Sequence, residues 1–584
     1  MIQPLNVLII GGVACGPKTA CRLKRLMPEA NITVVDKDAI VSYGACGLPY
    51  YVEGYFDDIE ALTHTPAGIP RTPAFFDKAK GVTVLTRTEA LAIDRVAKTV
   101  RVKHLDSGTE SVLPYNKLVL ATGGQAFKPR IPGIDLENVW FMTHPEHASS
   151  LVREVSAQGL SRAVMVGAGF IGMEMAEALR RKGLEVTVIE MAPQIMPGIL
   201  DEDVACFAAR YLRTQGVRLV LGERATAIEG ATRVTGVRTD AGSYPADLVV
   251  VAVGTRPNDQ LAREADLLCR DRIVVNEYCQ TTDPDIYAGG DCVVNRYAGN
   301  LAGSTLFVPL GSTANKHGRV IANHIAGQPT PFSGIACTGI VKVFDYTLGR
   351  TGLSEKSARE LRLDIETTTW AGPDKPHYMD AKPLIIKMIA SRRDRRLLGL
   401  QVAGLAEAGK RYLDVAAATI LFGGTLDQLA DIDFAYAPPY SPPIEPLATC
   451  AHVLTNKLDG VAIGISPAEA RRRVEAGEAL VLDTRTPREF AEVRLPWDVV
   501  HIPLGALRER MHELPRDRDI IAMCKVSMRG YEAQRMLNAA GYDRVCFMEG
   551  GIVGWPYELV TGPPAADRPN LERNPGRAAL TAGE

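Results

Sequence analysis

Short apolar runs alternate with amphipathic stretches along the first 326 residues, and Asn6–Ile10 is the first of these runs. Each run is rich in Val, Ile and Leu and stops at a turn. Runs that are apolar at nearly every position predict strands covered on both faces. The helical stretches between them predict crossovers, so the pattern as a whole predicts parallel βαβ architecture. Beyond residue 332 the pattern changes. Strands are predicted over 339–344, 384–391 and 397–403, followed by one long helical stretch over 406–429, which marks a separate α+β unit. Pro438, Pro439, Pro442, Pro443 and Pro446 then stiffen a segment that predicts neither a regular helix nor a central strand. A smaller α/β module spans 465–562, and residues 563–584, rich in Pro, Ala, Gly and charge, read as a disordered tail.

A chain of 584 residues exceeds one hydrophobic core, and ordinary domain sizes predict roughly three to five compact units. Its hydrophobic fraction of 46%, charged fraction of 23% and net charge of -2 carry no basic excess, so no nucleic-acid partner is expected. No run of about 18 apolar residues occurs and no leader pattern precedes Asn6, so no membrane span is expected and the cytoplasm is the default compartment. Eleven scattered cysteines without a C-x-x-C pair predict neither a disulfide framework nor a zinc site.

Two segments repeat one order of events: apolar run, glycine turn, helix, second run ending in an acid. In the first, Gly11, Gly12, Val13, Ala14 and Gly16 form the turn, and Asp36 lies 36 - 16 = 20 residues beyond Gly16. The first glycine makes the bend and the last lets the helix pack closely. The helix N-terminus suits a pyrophosphate, and the acid suits a ribose hydroxyl. Val13 stands where a central glycine is usual. The second turn, Gly167-Ala168-Gly169-Phe170-Ile171-Gly172, is complete, and Glu190 closes its second run. No Arg or Lys occurs over 191–197, which favours a free 2′-hydroxyl and therefore NADH over NADPH.

Two further segments, Leu118-Val119-Leu120-Ala121-Thr122-Gly123 and Ile286-Tyr287-Ala288-Gly289-Gly290-Asp291, make residues 5–450 resemble the pyridine nucleotide-disulfide oxidoreductase family. The resemblance implies FAD in the first fold, lined by Ala121, Thr122 and Gly123 and anchored by Asp291. It implies NADH in the second, where Gly254 joins the glycine turn. It also implies a domain order: FAD-binding over 1–113 and 255–328, NADH-binding over 114–254 with a connecting first part, dimerisation over 329–450, and a linker over 451–464.

The segment Ser42-Tyr43-Gly44-Ala45-Cys46-Gly47-Leu48-Pro49-Tyr50 holds the chemistry. Pro49 in an early helical turn puts the thiol near a positive helix end, which predicts a lowered thiol pKa. Relatives similar to glutathione reductase carry a second cysteine five residues on, but here that position is Tyr51. Cys46 therefore works through a mixed disulfide, a persulfide or a sulfenic acid. Single-cysteine relatives include NADH peroxidases, NADH oxidases and coenzyme A disulfide reductases. Peroxidases place a His where Ala14 stands. Coenzyme A disulfide reductases are resembled at 42–50 and again at Phe434-Ala435-Tyr436-Ala437-Pro438-Pro439-Tyr440. That subfamily brings two tyrosines to the thiol across a homodimer, and the matching positions are Tyr436 and Tyr378, where a phenol can protonate a leaving thiolate. Arg22 and Arg25, three apart on one helix face, suit the phosphates of coenzyme A; similarity adds Ser42 and Lys316 to that pocket. Cys15 stands where many relatives have Gly, and both packing and a second oxidisable thiol stay open for it.

Asp483, Arg485, Glu489 and Phe490, then His501, then Cys524 through Arg529 and Gly530 resemble a rhodanese domain in order and spacing. A strand delivers Cys524 into a loop ending at Arg529, where N–H groups and a fixed positive charge suit an anionic persulfide. The loop departs from the commonest pattern at Ser527, where Gly is usual, and at Gly530, where Ser is usual. A sulfur-carrying cysteine joined to a reductase points to an FAD-dependent NADH:coenzyme A persulfide or polysulfide reductase. In it Cys46 is the redox thiol and Cys524 the sulfur relay, and sulfide is released. Its partners are small thiol and persulfide substrates. Coenzyme A disulfide reduction, NADH oxidase activity, and a sulfur-delivery or redox-sensor role without fast turnover stay open at this point.

Overall fold

The computed structural model describes residues 4–298, 305–306 and 309–562. The tail expected over 563–584 lies outside the described residues. The chain divides into two compact units, one of Met1–Pro193 with Gly216–Cys337, the other of Gln194–Gln215 with Thr338–Glu584.

In the first unit the apolar runs become strands, the inner ones buried on both faces. Five lie parallel in the order Ile286–Ala288, Lys117–Leu120, Asn6–Ile10, Asn31–Val35, Thr83–Leu85. Leu8, Ile9, Leu118 and Val119 are buried, each contributing about 1.5–3 kcal/mol of apolar burial. The second repeat builds another parallel sheet, ordered Val217–Leu221, Glu185–Glu190, Arg162–Val166, Leu248–Val251, Val139–Trp140. In both sheets the strand that runs into the glycine turn is central. Each turn therefore opens at a point where strand order reverses, the usual crevice for a ligand in such sheets. The chain passes between the two folds twice, through the antiparallel pair Gly124–Ala126 and Thr255–Pro257.

The second unit contains an antiparallel sheet ordered Gly339–Val343, Tyr346–Gly352, Leu397–Gly404, Pro383–Ser391, Ile365–Pro373. The long helix expected over 406–429 is broken. Helix Ala408–Leu421 ends at Phe422, Gly423 turns left-handed at φ +67°, and Thr425 restarts the chain as Leu426–Ala430 through a reciprocal capping box with Gln428. Nor is 451–464 mainly a linker. Helix Pro446–Leu458 covers its first half, and Pro446, expected in an irregular segment, opens that helix in its first turn, where a missing N–H costs nothing. Helix Glu202–Thr214 also belongs to this unit, although it lies in sequence between two strands of the nucleotide-type sheet. The buried Lys387 ammonium meets Asp203 at 2.8 Å, Glu355 at 2.7 Å and Asp201 at 3.3 Å. The same unit holds a parallel sheet ordered Gly464–Ile465, Val545–Met548, Asp519–Met523, Ala479–Asp483, Val500–His501. The whole is thus mixed α/β, and no described helix is long and apolar enough to cross a membrane.

Candidate active site

Both glycine turns are built for close backbone approach. Gly11 has φ +114°, and a Cβ there would lie 2.1 Å from the Ala121 carbonyl oxygen; one at Gly16 would lie 1.9 Å from that of Gly11. No larger residue fits either place. Helix Cys15–Leu26 starts at once, after Val13 and Ala14. Asp36 accepts from the Gly12 N–H at 2.5 Å and from the Asp38 N–H at 2.8 Å. These residues fit a dinucleotide: a glycine cradle, a helix N-terminus and an acid at the next strand end.

The second turn repeats the design. Gly167 has φ +104°, and a Cβ at Gly172 would sit 2.1 Å from its carbonyl oxygen, whereas Gly169 and Gly254 face open space. Phe170 and Ile171 begin helix Phe170–Arg181. Glu190 is buried, with one oxygen accepting from Ala168 N–H at 2.8 Å and the other from Ala192 N–H at 2.9 Å. Each carboxylate oxygen keeps a lone pair for a ribose hydroxyl.

Ala121, Thr122 and Gly123 follow strand Lys117–Leu120, which lies beside the central strand, and Asp291 follows Ile286–Ala288, its neighbour in the sheet. Burial pushes the Asp291 carboxyl up. Beside it stands a residue that the sequence pattern did not mark, His317. Its Nδ1 accepts from the Gly290 N–H at 3.0 Å, and burial first, then Lys316, holds it neutral with a pKa near 4. Cys15 is buried, its thiol pushed well up by burial, and a Cβ on Gly289 would come within 2.8 Å of its Sγ. Packing, rather than reactivity, accounts for it.

Cys46 sits in a single 3₁₀ turn, Ala45–Gly47, ahead of helix Leu48–Glu53, with Pro49 in that helix's first turn. The residue is exposed, but the expected lowering of its thiol pKa does not occur. Desolvation raises it, and the carboxylates of Glu174 and Asp291 raise it further. A six-residue helix has too few aligned peptide dipoles to offset two nearby negative charges. Glu174, from helix Phe170–Arg181, is the second unmarked residue. It accepts a long 3.5 Å hydrogen bond from Tyr50, and burial raises its carboxyl to about 7. Replacing Glu174 by Gln removes a negative neighbour of the thiol, so the midpoint of Cys46 alkylation against pH should fall by about one unit. Rates of iodoacetamide labelling of the Cys46 peptide measure this, and an unmoved midpoint would refute the assignment.

Ser42 has φ +54° and donates its N–H to the Gly12 carbonyl at 2.7 Å, while Arg71 donates to its carbonyl at 2.8 Å. Arg22 donates to Asn323 at 3.0 Å, and Arg25 and Lys316 are exposed. Arg22 and Lys316 lie on helices Cys15–Leu26 and Gly311–Ile325, which cross so closely that a Cβ on Gly318 would be 2.7 Å from the Cys15 carbonyl oxygen. Tyr378, in the 3₁₀ turn His377–Met379, and Tyr436 belong to the second unit and are 63% and 50% exposed, respectively.

Cys524 follows strand Asp519–Met523 and is buried. Its loop is shorter than expected, because helix Met528–Ala539 already contains Arg529. Nor does Arg529 supply an uncompensated charge: it pairs in two-pronged fashion with Glu489, at 2.7 and 2.8 Å, while still interacting with the Cys524 thiol. Ser527 adopts φ +104°, a conformation that favours glycine, and its Oγ accepts from the Gly550 N–H at 2.7 Å. The departure noted at this position is thus a real conformational demand met by a local hydrogen bond.

A family model described as pyridine nucleotide-disulphide oxidoreductase matches residues 5–313; that family's dimerisation domain matches 338–448, and a rhodanese-like domain matches 466–557. The chain is 36% identical to the NAD(P)H sulfur oxidoreductase (CoA-dependent) of Pyrococcus abyssi, over 77% of this chain and 98% of that protein. It is 33% identical to an NADH oxidase of Methanocaldococcus jannaschii, over 78% and 99% of the two chains. The solved structure of a NAD-dependent persulfide reductase from A. fulgidus is 41% identical, covers 94% of this chain and 100% of its own, and superposes with a TM-score of 0.89.

Proposed function

Because the chain belongs to the pyridine nucleotide-disulphide oxidoreductase family, we propose that it reduces coenzyme A persulfide or polysulfide with NADH, using Cys46 as the redox thiol and Cys524 as a sulfur relay. It is a flavin-dependent oxidoreductase of the FAD and NAD(P)H type. One observation carries the finer reading: a thiol turn with Tyr51 in place of a second cysteine shares a chain with a rhodanese-like domain holding Cys524. The names of the Pyrococcus and A. fulgidus relatives support it.

FAD, when bound, passes the two electrons of NADH to the thiol site. The Cys46 thiolate attacks the outer sulfur of the persulfide, forming a Cys46 persulfide and releasing coenzyme A thiolate. Two electrons and one proton then split the new S–S bond, which returns the thiolate and releases hydrogen sulfide. Glu174, with a carboxyl near 7, is the residue suited to supply that proton. Arg22, Arg25, Ser42 and Lys316 are assigned to coenzyme A. Tyr378 and Tyr436, both exposed, are assigned to the partner's thiol site in a homodimer, which the matched dimerisation domain supports. We place the reaction in the cytoplasm, where free thiols stay reduced.

Steady-state NADH oxidation tests the reading against a panel of coenzyme A persulfide, polysulfide, coenzyme A disulfide, oxygen and peroxide. The highest kcat/KM is expected for the persulfide. A dominant disulfide rate would assign the protein to coenzyme A disulfide reduction instead, and a dominant oxygen rate to the oxidases. In the same assay NADH should exceed NADPH by at least about tenfold, because a 2′-phosphate would press on the buried Glu190 carboxylate. A preference for NADPH would mean that Glu190 does not face the ribose.

A further inference from the structure

Within the second unit, the strand that precedes the sulfur loop's supporting turn leads into a buried carboxylate. Glu549, 2% exposed, directly follows strand Val545–Met548. Its Oε1 accepts from the Lys457 ammonium at 2.5 Å, and its Oε2 from the Thr369 N–H at 2.9 Å. Lys457 also donates to the Thr367 carbonyl at 2.6 Å and pairs with Glu366 at 2.9 Å. Lys457 lies on helix Pro446–Leu458, and Glu366, Thr367 and Thr369 on strand Ile365–Pro373, so Glu549 is gripped by two elements outside its own sheet. The site is closely fitted: a Cβ on Gly464 would lie 2.5 Å from Glu549 Oε1.

The next residues hold the sulfur loop. The Gly550 N–H donates to Ser527 Oγ at 2.7 Å, the Ile552 N–H to the Cys524 carbonyl at 2.9 Å, and the Val553 N–H to the Lys525 carbonyl at 3.1 Å. Gly551 leaves no space there, since a Cβ would come within 2.4 Å of the Cys524 carbonyl oxygen. Three of the loop's polar groups are thus fixed by a turn whose first residue follows Glu549 directly.

We propose that Glu549 and Lys457 are positioning residues, a buried ion pair through which the sheet and helix of residues 338–458 hold the Cys524 loop in its sulfur-carrying shape. The assignment rests on the relay role proposed for Cys524. A buried charge that loses a partner is destabilised, even with Glu366 still beside Lys457, so removing either member loosens the turn as well as the contact. Thr369, a backbone donor, fixes the side-chain direction, and the ammonium supplies the opposite charge.

The test uses the full chain with bound FAD and the variants Glu549→Gln, Lys457→Gln and Lys457→Arg. Amide hydrogen exchange is read over residues 524–530 and over strand Ala479–Asp483, and sulfur loading of Cys524 from polysulfide is read by intact mass. Either Gln variant should speed exchange in the loop roughly tenfold or more and slow loading by a similar factor, while exchange in Ala479–Asp483 stays unchanged. Lys457→Arg should keep loop exchange near wild type, and the double Gln variant should accelerate it no more than the single ones, because all three break one interaction. Unchanged loop exchange in the Gln variants would overturn the proposal. So would equal acceleration in loop and strand, which makes the pair a general stabiliser. If one Gln variant does not fold, the other decides. Exchange does not depend on Cys46 or on NADH, so failure here is distinguishable from failure of the reductase reading, which shows in wild-type turnover.

Discussion

Cys46→Ser should lose NADH-driven reduction of every sulfur substrate, a fall on the order of 1,000-fold or more, while FAD stays bound and NADH still bleaches it at nearly the wild-type rate. In the proposed mechanism hydride transfer uses the two glycine turns, Asp36, Glu190 and Asp291, none of which is assigned to a sulfur substrate. The sulfur half-reaction needs a thiolate, and a serine hydroxyl cannot attack a sulfur–sulfur bond at neutral pH. Stopped-flow reduction of the flavin by NADH, followed by persulfide addition, separates the halves. Reoxidation by persulfide at an unchanged rate in the variant would remove Cys46 from the mechanism.

Cys524→Ser should divide the substrates. Turnover with coenzyme A persulfide should stay within about twofold of wild type, and turnover with polysulfide should fall on the order of 10- to 100-fold, because only the second route passes through the relay. The loop limits which donors can load Cys524. The thiol is buried, and the nearest guanidinium, Arg529, is already balanced by Glu489, so a doubly charged donor gains little from it. Equal loss with both substrates would instead mean that sulfur reaches Cys46 only by way of Cys524, a stricter sequence than the one proposed. Assays of purified variants under anaerobic conditions, with sulfide release as the readout, distinguish the two.

What the residues disclosed in advance was mostly local. Glycine spacing followed by an acid 20 positions on in the first turn (36 - 16) and 18 in the second (190 - 172) is a short-range signal, and both turns, their helices and their parallel sheets could be read from it. The break at Gly423 was also legible in principle, since Thr425 and Gln428 form a capping pair that a long helix would not contain; the apolar periodicity on either side masked it. Proximity over long separations was not legible. Glu174 lies 124 residues from Tyr50 in the chain, and Glu549 lies 92 from Lys457. No periodicity records which side chains meet across such distances, so the charges around Cys46 came out opposite in sign to the helix-end expectation. His317 was hidden for the same reason: on its own helix it is one more buried position, and only the neighbouring Gly290 makes it a site residue.

Helix Glu202–Thr214 gives the chain an unequal seam. Residues 114–254 read as a self-contained cassette, and exchanging them for another nucleotide-binding segment is an obvious route to altered cofactor use. Yet Asp201 and Asp203 travel with that cassette, while the ammonium they neutralise, Lys387, stays behind in an interior only 4% open to water. A graft lacking both acids would leave that charge with Glu355 alone, at a cost of up to about 3–5 kcal/mol, a large fraction of the stability of a typical domain. A working exchange of this segment therefore has to keep an acidic helix start at this point, or change position 387 in the same step.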